Sequence, residues 1–275
     1  MVHENAKICF ITAVYGSYET SCKKFIPQQI PADFICFTDN PDIISNGWIV
    51  DTTPYHILNK SPLDDGTYVN SIDKNKHTFN IAKYYKQAFQ NIPILKKYEV
   101  IVWLDGTIEI IHEQTSRFIM NNIYKNKIIG WHHEERYGYL LSEVKCSSLD
   151  RRYNTTFWNN QEQPIQDVWG QYDSYVEDGY DERYYDKIFK NDVTKLHYGI
   201  WITCFVAFLN NDTEVSDFLD LWYLQTLKYT TQDQVGFPYV CQKTKLRPFT
   251  LPNTEISGRY PHARTQFYIK HSHGI

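Results

Sequence analysis

The residues best able to do chemistry stand where apolar runs stop. The run VIVWL over 100–104 ends in Asp105-Gly106, and a hydrophobic strand that terminates in Asp delivers a carboxylate to the mouth of a sheet. There it can bind a divalent cation that neutralises a diphosphate. If the strand continues, Asp105, Thr107 and Glu109 share one face by the period of two and line up as oxygen donors. The competing reading is an Asp-Gly β-turn in a hairpin. A second carboxylate stands in Gln232-Asp233-Gln234, after a helical stretch and ahead of another apolar run. Facing a bound substrate it can act as general base on a hydroxyl or orient the reacting group. Equally, Thr231 or Asp233 can cap a helix over 234–243.

Two further apolar runs end in polar residues. In Thr12-Ala13-Val14-Tyr15-Gly16 the glycine allows close backbone approach and Tyr15 can stack on a base. In Phe37-Thr38-Asp39-Asn40 the Asp39 carboxylate can accept hydrogen bonds from a ribose or base. Both also read as ordinary strand-to-loop turns. Near the end, Lys270-His271-Ser272-His273 can supply an imidazole to a metal and an ammonium to a phosphate, or can be a terminus with chance histidines.

Such groups need a frame. Residues 7–15, 33–39, 47–52, 98–110 and 127–132 read as strands, so nearly continuously apolar that both faces must be covered, as in a largely parallel sheet. A helix is expected over 76–90, with Ile81, Tyr84, Tyr85 and Ala88 as its buried stripe. Lys83 and Lys86 then point roughly the other way, open to ligand or water. From 133 to 192 the pattern dissolves into an acidic, Tyr-rich stretch, read as an insertion at about 145–195 in which Trp158, Trp169 and the tyrosines offer flat faces for stacking. A strand over 196–209 and a helix over 214–228, with Val215, Phe218, Leu219 and Trp222 as its stripe, follow. The expected fold is α/β: a mostly parallel, Rossmann-like central sheet flanked by helices, one domain over 1–275, with ligands beyond the carboxyl ends of the strands.

Composition narrows the partners. A net charge of −4 gives no general attraction for nucleic acid or an anionic membrane. The 22 tyrosines and 7 tryptophans offer flat faces with polar tips that suit sugar rings, or simply reflect a Tyr-rich lineage. The six cysteines are scattered without C-x-x-C pairs and read as reduced thiols. Residues 1–7 are polar and no apolar stretch reaches 18 residues, so neither a signal peptide nor membrane insertion is expected, and a cytoplasmic location is. The sequons at Asn154 and Asn211 are short enough to arise by chance.

The segments ITAVYGSYE (11–19), FICFTDN (34–40), AKYYKQAF (82–89), YEVIVWLDGTIEI (98–110), HHEERYGYLLSE (132–143) and QDQVGFPYV (232–240) together resemble nucleotide-sugar glycosyltransferases of the GT-A fold. In particular, the chain resembles the family of plant turgor-regulation and seed-mucilage transferases and their bacterial relatives. That resemblance implies a hexosyl transfer from a nucleotide-sugar, UDP-sugar favoured, to a glycan or glycoprotein acceptor. It implies that Trp103-x-Asp105 takes the place of an Asp-x-Asp motif near the sugar diphosphate, and that Lys83 and Lys86 contact phosphate or sugar. Thr12, Ala13, Tyr15, Gly16, Asp39 and Lys270 complete the expected donor site. Asp233 becomes the catalytic-side acid, with Gln232, His133, Arg136 and Glu143 on the sugar or acceptor side. Asp105, His271 and His273 would hold Mn²⁺ or Mg²⁺. Thr107 stands where a second metal-binding Asp would sit, so a metal-free enzyme would need Lys83, Lys86 or Lys270 to stabilise the leaving diphosphate. The competing classes are a catalytically silent glycan-binding or scaffold protein on the same fold and a nucleotide-sugar hydrolase.

Overall fold

The structure, a computed structural model, describes residues 5–16, 18–55, 60–188, 199–251 and 265–273. The apolar runs form β1 (Ile8–Val14), β2 (Ala32–Thr38), β3 (Ile49–Asp51) and β4 (Val100–Leu104). Successive side chains of these strands enter two different cores: Cys9, Ile11, Ile101 and Trp103 one layer, Ile8, Phe10, Val100 and Val102 the other. That is why the runs show no polar alternation. Beyond β5 (Ile108–Ile110), the chain adds β6 (Ile128–His132), a small hairpin of β7 (Phe157–Trp158) and β8 (Gln161–Glu162), then β9 (Trp201–Leu209), β10 (Phe249–Leu251) and β11 (Tyr268–Lys270).

Among the described residues the main sheet has seven strands in the order β10-β6-β9-β4-β1-β2-β3. Neighbours are parallel except where β9 runs antiparallel to β4 and β6, so the expected mostly parallel α/β sheet is what forms. From β1 the winding goes one way through β2 and the other way through β4. The carboxyl ends of β1 and β4 therefore flank the switch point, where open α/β sheets leave a crevice. Helices α1 (Thr78–Gln87), α7 (Thr213–Lys228) and α8 (Asp233–Thr244) cover one face and α2 (Thr115–Asn126) the other. No helix of the described residues is long and apolar enough to cross a membrane, and all six cysteines are free thiols.

The structure departs from the sequence reading in three places. Residues 98–110 are not one strand. Asp105-Gly106 forms a turn, closed by the Ile108 amide donating to the Asp105 carbonyl at 2.9 Å, and β5 leaves the main sheet to pair antiparallel with β11. Asp105, Thr107 and Glu109 thus do not share a face: Thr107 is buried and Glu109 meets His271. The turn belongs to no hairpin, since the partner of β5 lies far along the chain.

The stretch read as patternless, secondly, holds α3 (Leu140–Leu149), α4 (Arg151–Asn154), α5 (Val168–Glu177) and α6 (Tyr184–Ile188). Their buried faces include polar residues, Glu143 and Ser147 on α3 and Gln171 on α5, which blurs any apolar period, but local caps mark two of the helices: Asp150 accepts from the Arg152 amide and Asp167 from that of Gly170. Lastly, α1 forms with its stripe inward, yet it packs on both β1 and α7, so Lys86 and Gln87 are buried as well. The beginning of the strand expected over 196–209 lies outside the described residues.

Candidate active site

Asp105 sits where β4 stops. Its amide donates to the Cys204 carbonyl on β9 at 2.9 Å, and the Trp103 indole donates to Oδ1 at 2.8 Å, which fixes the carboxylate at the crevice. Asp233 is the first residue of α8. Its side chain caps nothing: the N-cap is Gln232, without a side-chain cap bond, so capping does not explain this acid. Instead Asp233 is 4% exposed and faces two ammoniums, Lys86 Nζ at 2.5 Å and Lys83 Nζ at 3.2 Å, both on Oδ2. Thr203 donates its hydroxyl to Oδ1 at 3.2 Å.

Because α1 sets Lys83 and Lys86 three residues apart, both reach the same acid. Lys86 also stands 3.6 Å from Asp105 Oδ1, so one ammonium bridges the two carboxylates between the rings of Trp103 and Trp222. Burial pushes the Asp105 carboxyl up, but the ammoniums of Lys86, Lys83 and Lys270 outweigh it and bring its pKa to about 2. Burial likewise opposes ionisation of Asp233, and Lys83 with Lys86 still holds it below the usual carboxylate range. Lys86, against its own burial, is held above the ordinary lysine value by Asp233 and Asp105; Lys83 is pulled below it by burial and then by Lys86 beside it, against the pull of Asp233.

These groups line two adjoining chambers. The larger, about 300 Å³, has Asp105, Asp233, Lys83 and Lys270 on one side and His133, Arg136, Glu143 and Gln232 on the other. Three of the second group form one hydrogen-bonded array: Glu143 accepts from Arg136 Nε at 2.5 Å and from Gln232 Nε2 at 2.9 Å, and also from Ser147 Oγ at 2.8 Å. His133, 3.9 Å from the same carboxylate, is driven down to about 3 by burial and then by Arg136, so it is neutral. The smaller chamber, about 110 Å³, lies at the ends of β1 and β4 against Ala13, Tyr15, Tyr18, Trp103 and His273. Phe79, Lys83, Asp105 and Arg152 line both chambers and form a waist between them.

Several expected donor-site residues sit elsewhere. Lys86 lines neither chamber, being only 2% exposed behind the wall. Thr12 is buried beneath the crevice. Asp39 holds the loop after β1 by accepting the Gly16 amide on both oxygens at 3.1 Å, and lines neither chamber. Gly16 adopts φ +70°, and a Cβ there would lie 2.5 Å from Thr78 Cγ2, so the close approach it permits is to α1. Tyr15 reaches the smaller chamber, but its ring stacks on Tyr85 and their hydroxyls lie 2.6 Å apart, which leaves Tyr18 as the more accessible ring. The expected metal set does not converge. His271 Nε2 is 2.7 Å from Glu109 and His273 Nδ1 is 3.0 Å from Glu19, so each imidazole is engaged by another carboxylate, although His273 lines the smaller chamber together with Asp105. Among the described residues no group of three or more His, Cys, Asp or Glu side chains gathers to hold a metal.

No family model matches the chain, and no curated protein matches it by sequence. Solved structures do match. The chain is similar to the bifunctional glycosyltransferase WbbM in its apo form, at 9% identity and a TM-score of 0.45, covering 87% of this chain and 38% of that one. It is similar to mouse xyloside xylosyltransferase 1, apo form, at 10% identity and a TM-score of 0.46, covering 91% and 86%. Core-mannan synthase A from Aspergillus fumigatus, in an Mn/GDP form, matches at 9% identity and a TM-score of 0.41, covering 90% and 73%. The chain thus spans well under half of the first of these proteins. What it does has to be argued from its own cleft.

The cleft also contains residues that the sequence did not flag. Arg152 reaches the waist from α4, its guanidinium 5.4 Å from the Phe79 ring centroid. The available signal was Asp150, a helix-starting residue just before two arginines. Tyr18 and Phe79 meet edge to face with centroids 4.9 Å apart, and nothing in their spacing announces that contact.

Proposed function

We propose that the chain is a nucleotide-sugar-dependent glycosyltransferase. The observation that carries this reading is the pair of chambers joined at Asp105 and Lys83, at the switch point of the sheet, with Asp233 facing the larger one. The nucleotide occupies the smaller chamber, its base against Tyr18 and Phe79, and its diphosphate lies at the waist. The hexose and the glycan or glycoprotein acceptor occupy the larger chamber, where Gln232, Glu143, Arg136 and neutral His133 offer a fixed set of hydrogen-bonding groups for sugar hydroxyls. UDP is the favoured nucleotide.

In the reaction the bond between the anomeric carbon and the diphosphate oxygen breaks, and its electron pair leaves with the diphosphate. The acceptor oxygen bonds to that carbon and the acceptor proton passes to the departing phosphate, while Asp233, kept ionised by Lys83 and Lys86, orients the reacting sugar. Negative charge develops at the waist, where fixed cations lower the barrier.

A divalent ion fits this waist poorly. Mg²⁺ and Mn²⁺ need free oxygen donors. One oxygen of Asp105 already accepts from Trp103 and faces Lys86, while Oδ2 of Asp233 is shared by two ammoniums. Asp105 Oδ2 is the carboxylate oxygen left at the waist for such an ion, a sparse protein donor set for it.

The test is a thermal-shift panel of nucleotide-sugars followed by an acceptor screen. A donor at about 100 times its Kd should raise Tm by roughly 5 °C. Asp105→Asn and Asp233→Asn should remain folded and lose turnover. A panel in which no nucleotide-sugar shifts Tm would end this reading.

A further inference from the structure

We infer that Gln232 selects the transferred sugar by requiring one of its hydroxyls to donate a hydrogen bond to the amide oxygen Oε1. The inference rests on the glycosyltransferase reading and names what that same site reads in its donor. A side-chain amide carries two N–H donors and one oxygen acceptor, and what the surrounding network consumes decides which of them meets a ligand. Here the wall consumes both donors. Gln232 Nε2 donates to Glu143 Oε1 at 2.9 Å and to Ser147 Oγ at 3.0 Å. Ser147 gives its own hydroxyl proton to Glu143 Oε1 at 2.8 Å, so towards Gln232 it accepts. Glu143 is buried and paired through Oε2 with Arg136, and it offers oxygens only. Turning the amide over would set Gln232 Oε1 against that carboxylate with no proton between them, so the orientation is fixed.

The remaining oxygen is the uncommitted acceptor of the larger chamber. Gln232 is the N-cap of α8, yet its side chain makes no cap bond, and Oε1 has no hydrogen-bond partner among the described residues. The residue lines the larger chamber beside Asp233 and does not line the smaller one. Asp233 is less able to read a hydroxyl itself, because Oδ2 faces two ammoniums and Oδ1 accepts from Thr203. Consecutive Cα atoms stand about 3.8 Å apart, less than the width of a hexose with its hydroxyls, so a sugar oriented by Asp233 also meets Gln232. A group that can only accept favours a hydroxyl there and rejects a substituent without a proton, which would leave Oε1 desolvated and unpaired. Glu143 and Ser147 act through Gln232, as positioning residues.

Isothermal titration of the full chain tests this. The probes are UDP, GDP, UDP-glucose, UDP-galactose and GDP-mannose, followed by analogues of the tightest-binding nucleotide-sugar in which one sugar hydroxyl at a time is replaced by fluorine. Fluorine roughly keeps the size of the hydroxyl and has no proton to donate. The sugar should add affinity over its bare nucleotide, and one fluorinated analogue should bind about tenfold more weakly than its parent. Gln232→Met should abolish that difference and leave the Kd of the bare nucleotide unchanged; Gln232→Asn, which withdraws the oxygen by one methylene, should narrow it. Equal binding of every analogue by the wild type, or a sugar that adds nothing to its nucleotide, would overturn the inference and leave the transferase reading standing. Discrimination that survives in both variants would do the same. No binding of any of these nucleotides or nucleotide-sugars would overturn the inference and the transferase reading together.

Discussion

Lys86 is a buried ammonium between two carboxylates, and its contribution is mostly to prevent their repulsion. Lys86→Met should destabilise the fold by about 3–5 kcal/mol, because removing one partner of a buried ion pair strands the other. Urea denaturation measures this, and adding Asp233→Asn should restore part of the loss. His133 gives a pH prediction. Its folded pKa of about 3 lies below the unfolded value near 6.5, so the unfolded chain takes up the proton first as pH falls. Stability should therefore be full above about pH 6.5 and decline progressively towards pH 3, and His133→Asn should flatten the upper part of that slope. A wild-type urea midpoint constant between pH 6.5 and 5 would contradict this.

At the scale of elements, what the sequence revealed depended on how many sides an element covers. Strands β1, β2 and β4 were legible because burial on both faces leaves an unbroken apolar run. The inward stripe of α1 was legible too. That α7 closes over Lys86 was not, since a periodicity reports one contact face and says nothing of a second helix. The acids Asp105 and Asp233 could be picked out singly, as polar residues bordering apolar runs. Their sharing of Lys86 could not, because it depends on the relative placement of α1, β4 and α8. The loop after β1 offers a test at this scale. Gly16→Ala must strain a positive φ and push on Thr78, which should cost about 1–3 kcal/mol and displace the wall of the smaller chamber. A Tm and a nucleotide-induced shift both unchanged in this variant would show that the loop yields without consequence.

At the scale of the whole molecule, the cleft draws on segments from the first strand to the last. The larger chamber combines the ends of β4, α1, α3 and α8 with Lys270 from β11, and the smaller one needs His273 beyond it. Removal of residues 270–275 should leave the seven-stranded sheet folded by circular dichroism, because it spares the buried Phe267 and Tyr268 and the rest of β11 lies outside that sheet. The same deletion should lower turnover roughly 100-fold through loss of charge at the waist. Unfolding on deletion would instead make β11 a structural necessity.

The pairing of β5 with β11 also bears on how the protein is made. Glu109 lies opposite Ile269, and at about 5–20 residues per second a ribosome needs roughly 8–30 s to travel from one to the other. Throughout that interval β5 on the nascent chain has an unpaired edge, and the crevice beside Asp105 lacks Lys270. The strand is only three residues long and carries Glu109 at its centre, features that discourage a wrong partner while it waits. Slow translation of the last hundred residues should therefore delay the appearance of nucleotide binding more than the appearance of the folded sheet.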